Sequence, residues 1–275
     1  MVSLIFLITW GLTIYFGITL ISPLWYFIVL YVLTGYLIGV FVLVLLLILL
    51  MPIMKITKND SKLKYYLAKS AATFINIFIL RAYVTSEGKE NIPKKGKLTV
   101  YANHKSQTDP ILLMPKFNRG LAFTPKISLY KIPILSNYMN YIGCLPIDRD
   151  DNRRTARTMI QAIKNVEKGH AMLIFPEGGI KSRDTESMVD IRGGAYKIGE
   201  KSKSDFLPIT IKGATKFNNR KWWQIVKVHI VIHPVVKYED VKDLNTLELG
   251  KKMFDIINSS IEEWLISFFF YKKIS

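Results

Sequence analysis

Charged side chains are missing from the first 54 residues, because all 38 Lys and Arg and all 21 Asp and Glu residues follow position 54. Without a basic start, and with an apolar stretch of this length, a cleaved signal peptide is not expected. Two apolar runs, near 3–21 and 24–51, are separated by Ser22-Pro23. Each is long enough for a membrane helix of about 20 residues. The sequence predicts a helical hairpin over 1–54, either transmembrane or re-entrant within one leaflet.

Cysteine is equally scarce. Cys144 is the single cysteine, which excludes an internal disulfide and gives no sign of an oxidising compartment. The sequence has no Cys/His cluster and no helical His pair, so a metal is not expected. It also has no serine in a nucleophile-elbow pattern, which argues against a serine hydrolase.

Positive charge dominates the remainder of the chain. The formal net charge of +17 belongs entirely to residues 55–275, which suits an anionic membrane surface or an anionic substrate. The basic residues are scattered and match no nucleic-acid module, so a nucleic-acid partner is not expected. Four lysines follow the hairpin directly: Lys55, Lys58, Lys62 and Lys64. By the positive-inside tendency, this end of the hairpin lies in the cytoplasm. We expect the protein at the cell membrane, with 55–275 as one domain on the cytoplasmic face.

Short apolar runs alternate with helical segments after the hairpin. The predicted strands are 82–84, 98–102, 121–124, 142–147, 171–175, 206–211 and 225–236, and the predicted helices are 62–80, 110–117, 129–140, 152–168 and 245–265. One face of the helix at 152–168 carries Ala156, Met159, Ile160, Ile163 and Val166. Strand, helix and strand at this spacing predict a parallel βαβ unit. The predicted fold class is α/β, with a mixed, largely parallel sheet flanked by helices and preceded by the hairpin.

One loop brings together a histidine and a carboxylate. It follows the strand at 98–102 and precedes a helix start marked by Asp109 and Pro110, a capping side chain and a residue that needs no N–H there. His104 and Asp109 would be about 500° apart on a continuous helix, so only a loop that folds back brings them together. The carboxylate would then bind one imidazole nitrogen and leave the other free to accept a proton. Taken alone, this spacing is more often a helix cap beside a solvated histidine.

Three more segments stand out. The segment 175–183, Phe-Pro-Glu-Gly-Gly-Ile-Lys-Ser-Arg, places an acid, two glycines and two cations at a strand end, which suits an anion. The others are Gly-Cys-Leu-Pro-Ile-Asp-Arg at 143–149 and Leu-Pro-Ile-Thr at 207–210. Separately, each is explained by a glycine-rich turn, a surface salt bridge or an ordinary strand. Parallel strands share a carboxyl edge, so 103–108, 148–149 and 176–179 should lie on one edge of the sheet.

Taken in order, the four blocks resemble those of the glycerolipid acyltransferase family. That family carries Asn-His-x4-Asp, Gly-x-x-x-Ile-Asp-Arg, Phe-Pro-Glu-Gly and a proline-bearing strand, which stand here as NHKSQTD at 103–109, GCLPIDR at 143–149, FPEGG at 175–179 and LPIT at 207–210. The resemblance covers roughly 97–236, and four ordered blocks are more specific than any single one. It implies a membrane-bound O-acyltransferase that moves a fatty acyl chain from a thioester to the hydroxyl of a lysophospholipid. The implied acceptor is 1-acylglycerol-3-phosphate and the product phosphatidic acid.

The resemblance also implies a role for each matching residue. His104 would be the general base on the acceptor hydroxyl, and Asp109 would orient it. The donor would be a thioester of coenzyme A or acyl carrier protein, which is already activated, so no metal or other cofactor is implied. The residues expected to contact the acceptor are Asn103, Lys126, Arg149, Glu177, Gly178 and Gly179.

One departure concerns the acceptor. The family usually continues its Phe-Pro-Glu-Gly block with Thr-Arg and uses that arginine to hold a phosphate, whereas this chain has Gly179 and Ile180. Lys181 or Arg183 would replace it by a shift of one or three residues, or else the acceptor carries a different head group. A non-catalytic, basic, membrane-anchored lipid-binding protein on the same scaffold is the alternative of another class.

Overall fold

The structure, a computed structural model, describes residues 1–58, 61–148 and 150–274, with side chains as far as residue 262. The helices are α1 (Val2–Phe16), α2 (Trp25–Ile56), α3 (Lys62–Phe74), α4 (Asp109–Leu113), α5 (Pro133–Tyr141), α6 (Asn152–Glu167), α7 (Lys197–Ser202) and α8 (Thr246–Ile274). The strands are β1 (Ala82–Glu87), β2 (Leu98–Ala102), β3 (Leu121–Phe123), β4 (Ala171–Ile174), β5 (Asp205–Lys212) and β6 (Val226–Ile232). Arg149 lies outside the described residues, so its predicted role stays a prediction.

Two apolar helices form the N-terminal hairpin. α1 continues through a wider helical turn at Gly17–Ile21, and the chain reverses before α2 begins at Trp25, which confirms the predicted break at Ser22-Pro23. By length and composition, both helices are able to cross a membrane. α2 runs past its predicted end to Ile56, because Pro52 removes a single helical hydrogen bond and the helix continues around it.

α3 connects the hairpin to the sheet. The side chain of Ser61 caps its start by accepting a hydrogen bond from the backbone N–H of Lys64. At its other end a wider turn, Ile75–Ile79, places the ring of Phe78 5.0 Å from that of Phe6 in α1. The hairpin therefore shares a small apolar core with the segment that leads into the sheet.

The six strands form one sheet in the order β1-β6-β5-β2-β4-β3. β1 pairs in parallel with β6, β2 with both β5 and β4, and β3 with β4, whereas β5 and β6 are antiparallel. β2 is buried along its whole length, as expected for a parallel strand covered on both faces. The predicted α/β fold with a mixed, largely parallel sheet is confirmed.

One edge of this sheet collects the loops that matter for function. β2, β3, β4 and β5 all end at that edge because they run in the same direction. β1 and β6 run the opposite way, so they begin there.

Two predicted details are wrong. Residues 142–147 do not form a strand and contribute a single bridge, Ile147 to Lys126, because Gly143 has a φ of +83° and Pro146 lacks an N–H. In α6, two residues of the predicted apolar face are exposed, Ala156 and Ile160, the latter by 55%, and Thr158 is buried instead. The hydroxyl of Thr158 donates to the carbonyl of Pro146 at 2.7 Å. This hydrogen bond allows a polar residue to be buried where the hydrophobic pattern predicted an exposed one.

Candidate active site

The imidazole of His104 contacts the carboxylate of Asp109 across the loop between β2 and α4. Nδ1 lies 2.9 Å from Oδ2 of Asp109, which is fully buried. The carboxylate accepts this bond, so Nδ1 carries the proton and Nε2 is left as a hydrogen-bond acceptor. The predicted contact is confirmed, and the catalytic role of the pair stays a prediction.

The Asp109 side chain does not cap α4 as the sequence suggested. Asp109 is itself the first helical residue, and its Oδ2 turns back to accept the backbone N–H groups of Lys105 at 2.8 Å and Ser106 at 2.9 Å. These donors belong to the loop that precedes the helix. One carboxylate oxygen therefore holds the loop in its bent form and orients the imidazole at the same time.

The imidazole is also held from the side. Its ring stacks on Phe175, with centroids 4.0 Å apart and planes 19° from parallel. Phe175 follows β4, the strand next to β2 in the sheet. Because His104 is fixed by a hydrogen bond and by a flat contact, its ring has little freedom to turn.

A buried ion pair joins the two loops beneath the histidine. Oε2 of Glu177 lies 3.1 Å from Nζ of Lys105, and neither side chain is exposed to solvent. Oε1 of the same carboxylate accepts the backbone N–H of His104 at 2.8 Å. Glu177 thus ties the histidine loop to the loop after β4 and does not line the cavity beside them.

The side chain of Asn103 makes hydrogen bonds to the backbone of two other segments. Its Nδ2 donates to the carbonyls of Glu186 and Ile211, and its Oδ1 accepts the N–H of Ile211, each at 2.8 Å. The side chain is fully buried, so it anchors the end of β2 to β5. The predicted contact of Asn103 with an acceptor stays a prediction.

A cavity of about 570 Å³ opens beside His104, within the usual size range of ligand sites. It is bounded by His104 and Gly178, so the loops at 103–108 and 176–179 meet at one edge of the sheet as expected, and by Ile147, the residue before the predicted loop at 148–149. Much of its wall is apolar, including Phe123, Leu129, Met159, Ile174 and Ile198. Such a wall suits a hydrocarbon chain.

Among the residues that the structure describes, three cations reach the same cavity: Lys126, Arg183 and Arg192. Arg183 is held by a 2.8 Å hydrogen bond from its Nη1 to Oδ1 of Asn218, a partner that carries no charge. Lys181 lies elsewhere, with its Nζ 3.6 Å from the carboxylate of Asp190 and no contact with the cavity wall. Of the two replacements that the sequence suggested, Arg183 is the one at the cavity.

Sequence reasoning missed Arg192. Its side chain lies across the backbone of Gly178, where an added Cβ would stand 2.5 Å from Nε. Gly178 also has a φ of +69°, a conformation that favours glycine. The one available signal was the glycine itself, because a Gly-Gly pair at a strand end indicates that something approaches the backbone closely.

Other titratable groups lie away from the cavity. His233 is buried, and its Nε2–H donates to the hydroxyl of Thr210 at 2.8 Å, because that hydroxyl itself donates to the carbonyl of Ile257. Burial, with the nearby Lys212 charge, lowers the pKa of His233 to about 4. Burial raises the pKa of the Cys144 thiol to about 12, so this thiol is inert at neutral pH.

Known proteins resemble this chain in sequence. The acyltransferase family model matches residues 83–212. A 1-acyl-sn-glycerol-3-phosphate acyltransferase of Borreliella burgdorferi is 27% identical over 66% of this chain and 72% of its own length. A chloroplastic enzyme of the same name from Brassica napus is 28% identical over 72% of this chain and 57% of its own length.

The fold is shared as well. The crystal structure of the 1-acyl-sn-glycerophosphate (LPA) acyltransferase from Thermotoga maritima superposes with a TM-score of 0.60 at 27% identity, over 74% of this chain and 78% of that one. The order of the motifs, the fold and these similarities agree, and residues 83–212 of the chain are an acyltransferase domain like that of the 1-acyl-sn-glycerol-3-phosphate acyltransferases.

Proposed function

We propose that this protein acylates the free hydroxyl of a lysophospholipid, with 1-acylglycerol-3-phosphate as the acceptor and phosphatidic acid as the product. The observation that carries the proposal is the His104–Asp109 pair. Nδ1 of His104 binds Asp109, Nε2 is left to accept a proton, and His104 lines a largely apolar cavity with cations at its wall. The related enzymes named above act on this acceptor.

In this mechanism Nε2 of His104 takes the proton of the acceptor hydroxyl. The oxygen attacks the carbonyl carbon of an acyl thioester, of coenzyme A or acyl carrier protein, and the thiolate leaves when the tetrahedral intermediate collapses. Asp109 stabilises the imidazolium formed in between, because its charged Oδ2 is 2.9 Å from Nδ1. The imidazolium then returns its proton to the departing thiolate.

The cations at the cavity hold the phosphate of the acceptor in this proposal. Arg183 and Arg192 come from the same long loop after β4, and both reach the cavity. Guanidinium groups bind phosphate oxygens in pairs, which fixes the head group as well as attracting it. Together they would do the work that the family assigns to the arginine replaced here by Ile180.

The membrane is the second partner in the proposal. The hairpin of α1 and α2 anchors the enzyme, and the basic domain at 55–275 faces the cytoplasm. Little of the apolar stretch of either helix is buried within the protein: 11% in the first helix and 17% in the second. That exposure supports contact of the hairpin with lipid.

Mass spectrometry of the lipids made by the purified protein tests the reaction. We expect phosphatidic acid from an acyl thioester and lysophosphatidic acid, and little product from the lysolipids with choline or ethanolamine head groups. His104→Ala should slow product formation by about 10²- to 10⁴-fold and leave the thermal unfolding temperature close to wild type. A near wild-type rate from His104→Ala would reject the base, and no thioester consumption by the wild-type protein with any lysolipid would favour the lipid-binding alternative.

Separate variants test the phosphate site. Arg192→Gln and Arg183→Gln should each raise the acceptor KM by about 10- to 100-fold, the equivalent of losing one hydrogen bond to a charged group. Lys181→Gln is the matched control, since it removes the same charge from the same loop but off the cavity wall. Equal effects of all three substitutions would reject a defined site in favour of general attraction.

A further inference from the structure

An exposed group of aromatic and aliphatic side chains lies at the edge of the sheet where β1 and β6 begin. Trp222 is 74% exposed, Trp223 54% and Ile225 68%. Ile77, Ile79 and Tyr83, exposed by 52%, 56% and 63%, lie on the neighbouring segment. We name these six residues the aromatic edge patch, and nothing in the proposed reaction uses them.

Contacts across the two segments show that the patch is one surface. The guanidinium of Arg81 lies 5.2 Å above the ring of Trp222. Arg220 donates through Nη1 to the carbonyl of Leu80, and the backbone N–H of Val226 donates to the carbonyl of Arg81 at 3.0 Å. The Trp222-Trp223 turn is therefore fixed against the end of the Ile75–Ile79 turn.

The two chain segments that carry the patch contain charges of one sign. Segments 73–86 and 213–228 contain five cations, Arg81, Lys216, Arg220, Lys221 and Lys227, and no acid. Lys221 lies 5.4 Å from the ring centroid of Trp223. Tryptophan surrounded by lysine and arginine is typical of a membrane–water interface, where the ring enters the head-group layer and the cations meet anionic lipid.

The position of the patch indicates its partner. It lies at the same edge of the sheet as the active-site loops, because β6 begins where β5 ends. It is continuous with the hairpin, because Phe78 packs on Phe6 while Ile77 and Ile79 of the same turn face outward. It is also continuous with the cavity, since Arg183 binds Asn218, four residues before Trp222.

We infer that the aromatic edge patch is a second membrane contact, separate from the hairpin, that seats the carboxyl edge of the sheet on an anionic lipid surface. The hairpin attaches the protein to the bilayer, and the patch sets the orientation of the domain on it. Held this way, the cavity mouth faces the lipids, so a lysolipid enters without leaving the head-group layer. The membrane contact does not depend on which acceptor is used, but its benefit to turnover rests on the proposed function.

Depth measurement by spin labelling tests the contact without relying on catalysis. Cys144 is the single cysteine and is buried, so labels are placed in a Cys144→Ser background of the full chain. Ile225→Cys marks the patch. Lys95→Cys is the control, because it is exposed in the turn before β2 at the opposite edge of the sheet.

In nanodiscs of phosphatidylcholine and phosphatidylglycerol in equal parts, the label at 225 should relax more with oxygen than with a water-soluble nickel complex. The label at 95 should show the reverse. Replacing phosphatidylglycerol by phosphatidylcholine, or introducing Lys216→Glu with Lys221→Glu, should reduce the difference. Nickel access at 225 equal to that at 95 would overturn the inference, and would leave the surface to a water-soluble partner.

Activity provides a second arm. Trp222→Ala with Trp223→Ala should lower kcat/KM about tenfold for lysophosphatidic acid in the nanodiscs, and leave it unchanged for a short-chain, water-soluble lysophosphatidic acid in detergent. Equal loss in both assays would indicate damage to the site and reject the orienting role. A wild-type protein without activity would reject the proposed function, and the label at 225 would still decide the membrane contact.

Discussion

Replacing Asp109 by asparagine separates the charge of this residue from its shape. Three donors converge on Oδ2: Nδ1 of His104 and the backbone N–H groups of Lys105 and Ser106. Oδ1 is buried and has no hydrogen-bond partner among the described residues. The amide of Asn therefore has one acceptable orientation, with its oxygen at the Oδ2 position, because an NH2 group there would face three donors.

This orientation predicts a moderate loss of rate. The imidazole keeps its proton on Nδ1, so Nε2 remains able to act as a base. What disappears is the negative charge, and a hydrogen bond to a charged group is worth about 1.5–3 kcal/mol against 0.5–1.5 for a neutral one. The difference of about 1–1.5 kcal/mol corresponds to roughly a tenfold fall in kcat. Loss of the base itself in His104→Ala should cost about 10²- to 10⁴-fold.

Steady-state kinetics of three variants with a saturating thioester measure this order. We expect Asp109→Asn to retain the most activity, and Asp109→Ala to fall close to His104→Ala because it also releases the loop. Thermal unfolding checks the loop: Asp109→Ala strands two buried backbone N–H groups at about 1–3 kcal/mol each. An Asp109→Asn enzyme as inactive as His104→Ala, yet stably folded, would refute the reasoning from three converging donors.

The remaining predictions concern stability and the acceptor. Lys105→Met should lower the free energy of unfolding by about 3–5 kcal/mol, because it leaves the buried Glu177 carboxylate without its cation. Adding Glu177→Gln should recover part of this loss in thermal melts. Additive losses from the two substitutions would contradict an energetic coupling between Lys105 and Glu177. The pKa of His233 is lowered from 6.5 to about 4 in the folded protein, so between these pH values His233 takes up a proton when the protein unfolds. The free energy of unfolding therefore falls as the pH drops, by about 2 kcal/mol at pH 5. His233→Gln should lose that much less between pH 7 and 5 in the same melts, and an unchanged loss would contradict it. Gly178→Ala should raise the acceptor KM by displacing the guanidinium above it, whereas Gly96→Ala, with a φ of +95° but no neighbour within 4 Å, should not.

Much of the sheet could be predicted because its strands are apolar and its turns are marked. The strand at 98–102 was predicted with the bounds that the structure gives to β2. The His104–Asp109 contact was predictable because both partners belong to one loop. The prediction of a strand at 142–147 was wrong because it followed the apolar residues and gave too little weight to Gly143 and Pro146, which interrupt a strand.

What sequence could not show are pairings between distant loops. Nothing in the sequence marks Lys105 as buried, and its burial depends on Glu177, 72 residues away. Arg192 lies between the third and fourth family blocks and belongs to neither, and only the folded chain brings it over Gly178. Such contacts depend on the packing of one loop against another, which local periodicity does not encode.

On the proposed seating of the aromatic edge patch, the contact between Phe6 and Phe78 would also limit how deep the hairpin reaches. Beyond it, α1 and its extension run on to Ile21, about 22 Å at 1.5 Å per residue. On α2, the distance from Tyr36, whose ring also packs on Phe6, back to Trp25 is about 16 Å. A hydrocarbon core is about 30 Å thick. With Trp222 and Trp223 resting among the lipid head groups, the tip of the hairpin would stop inside the bilayer, short of its far surface.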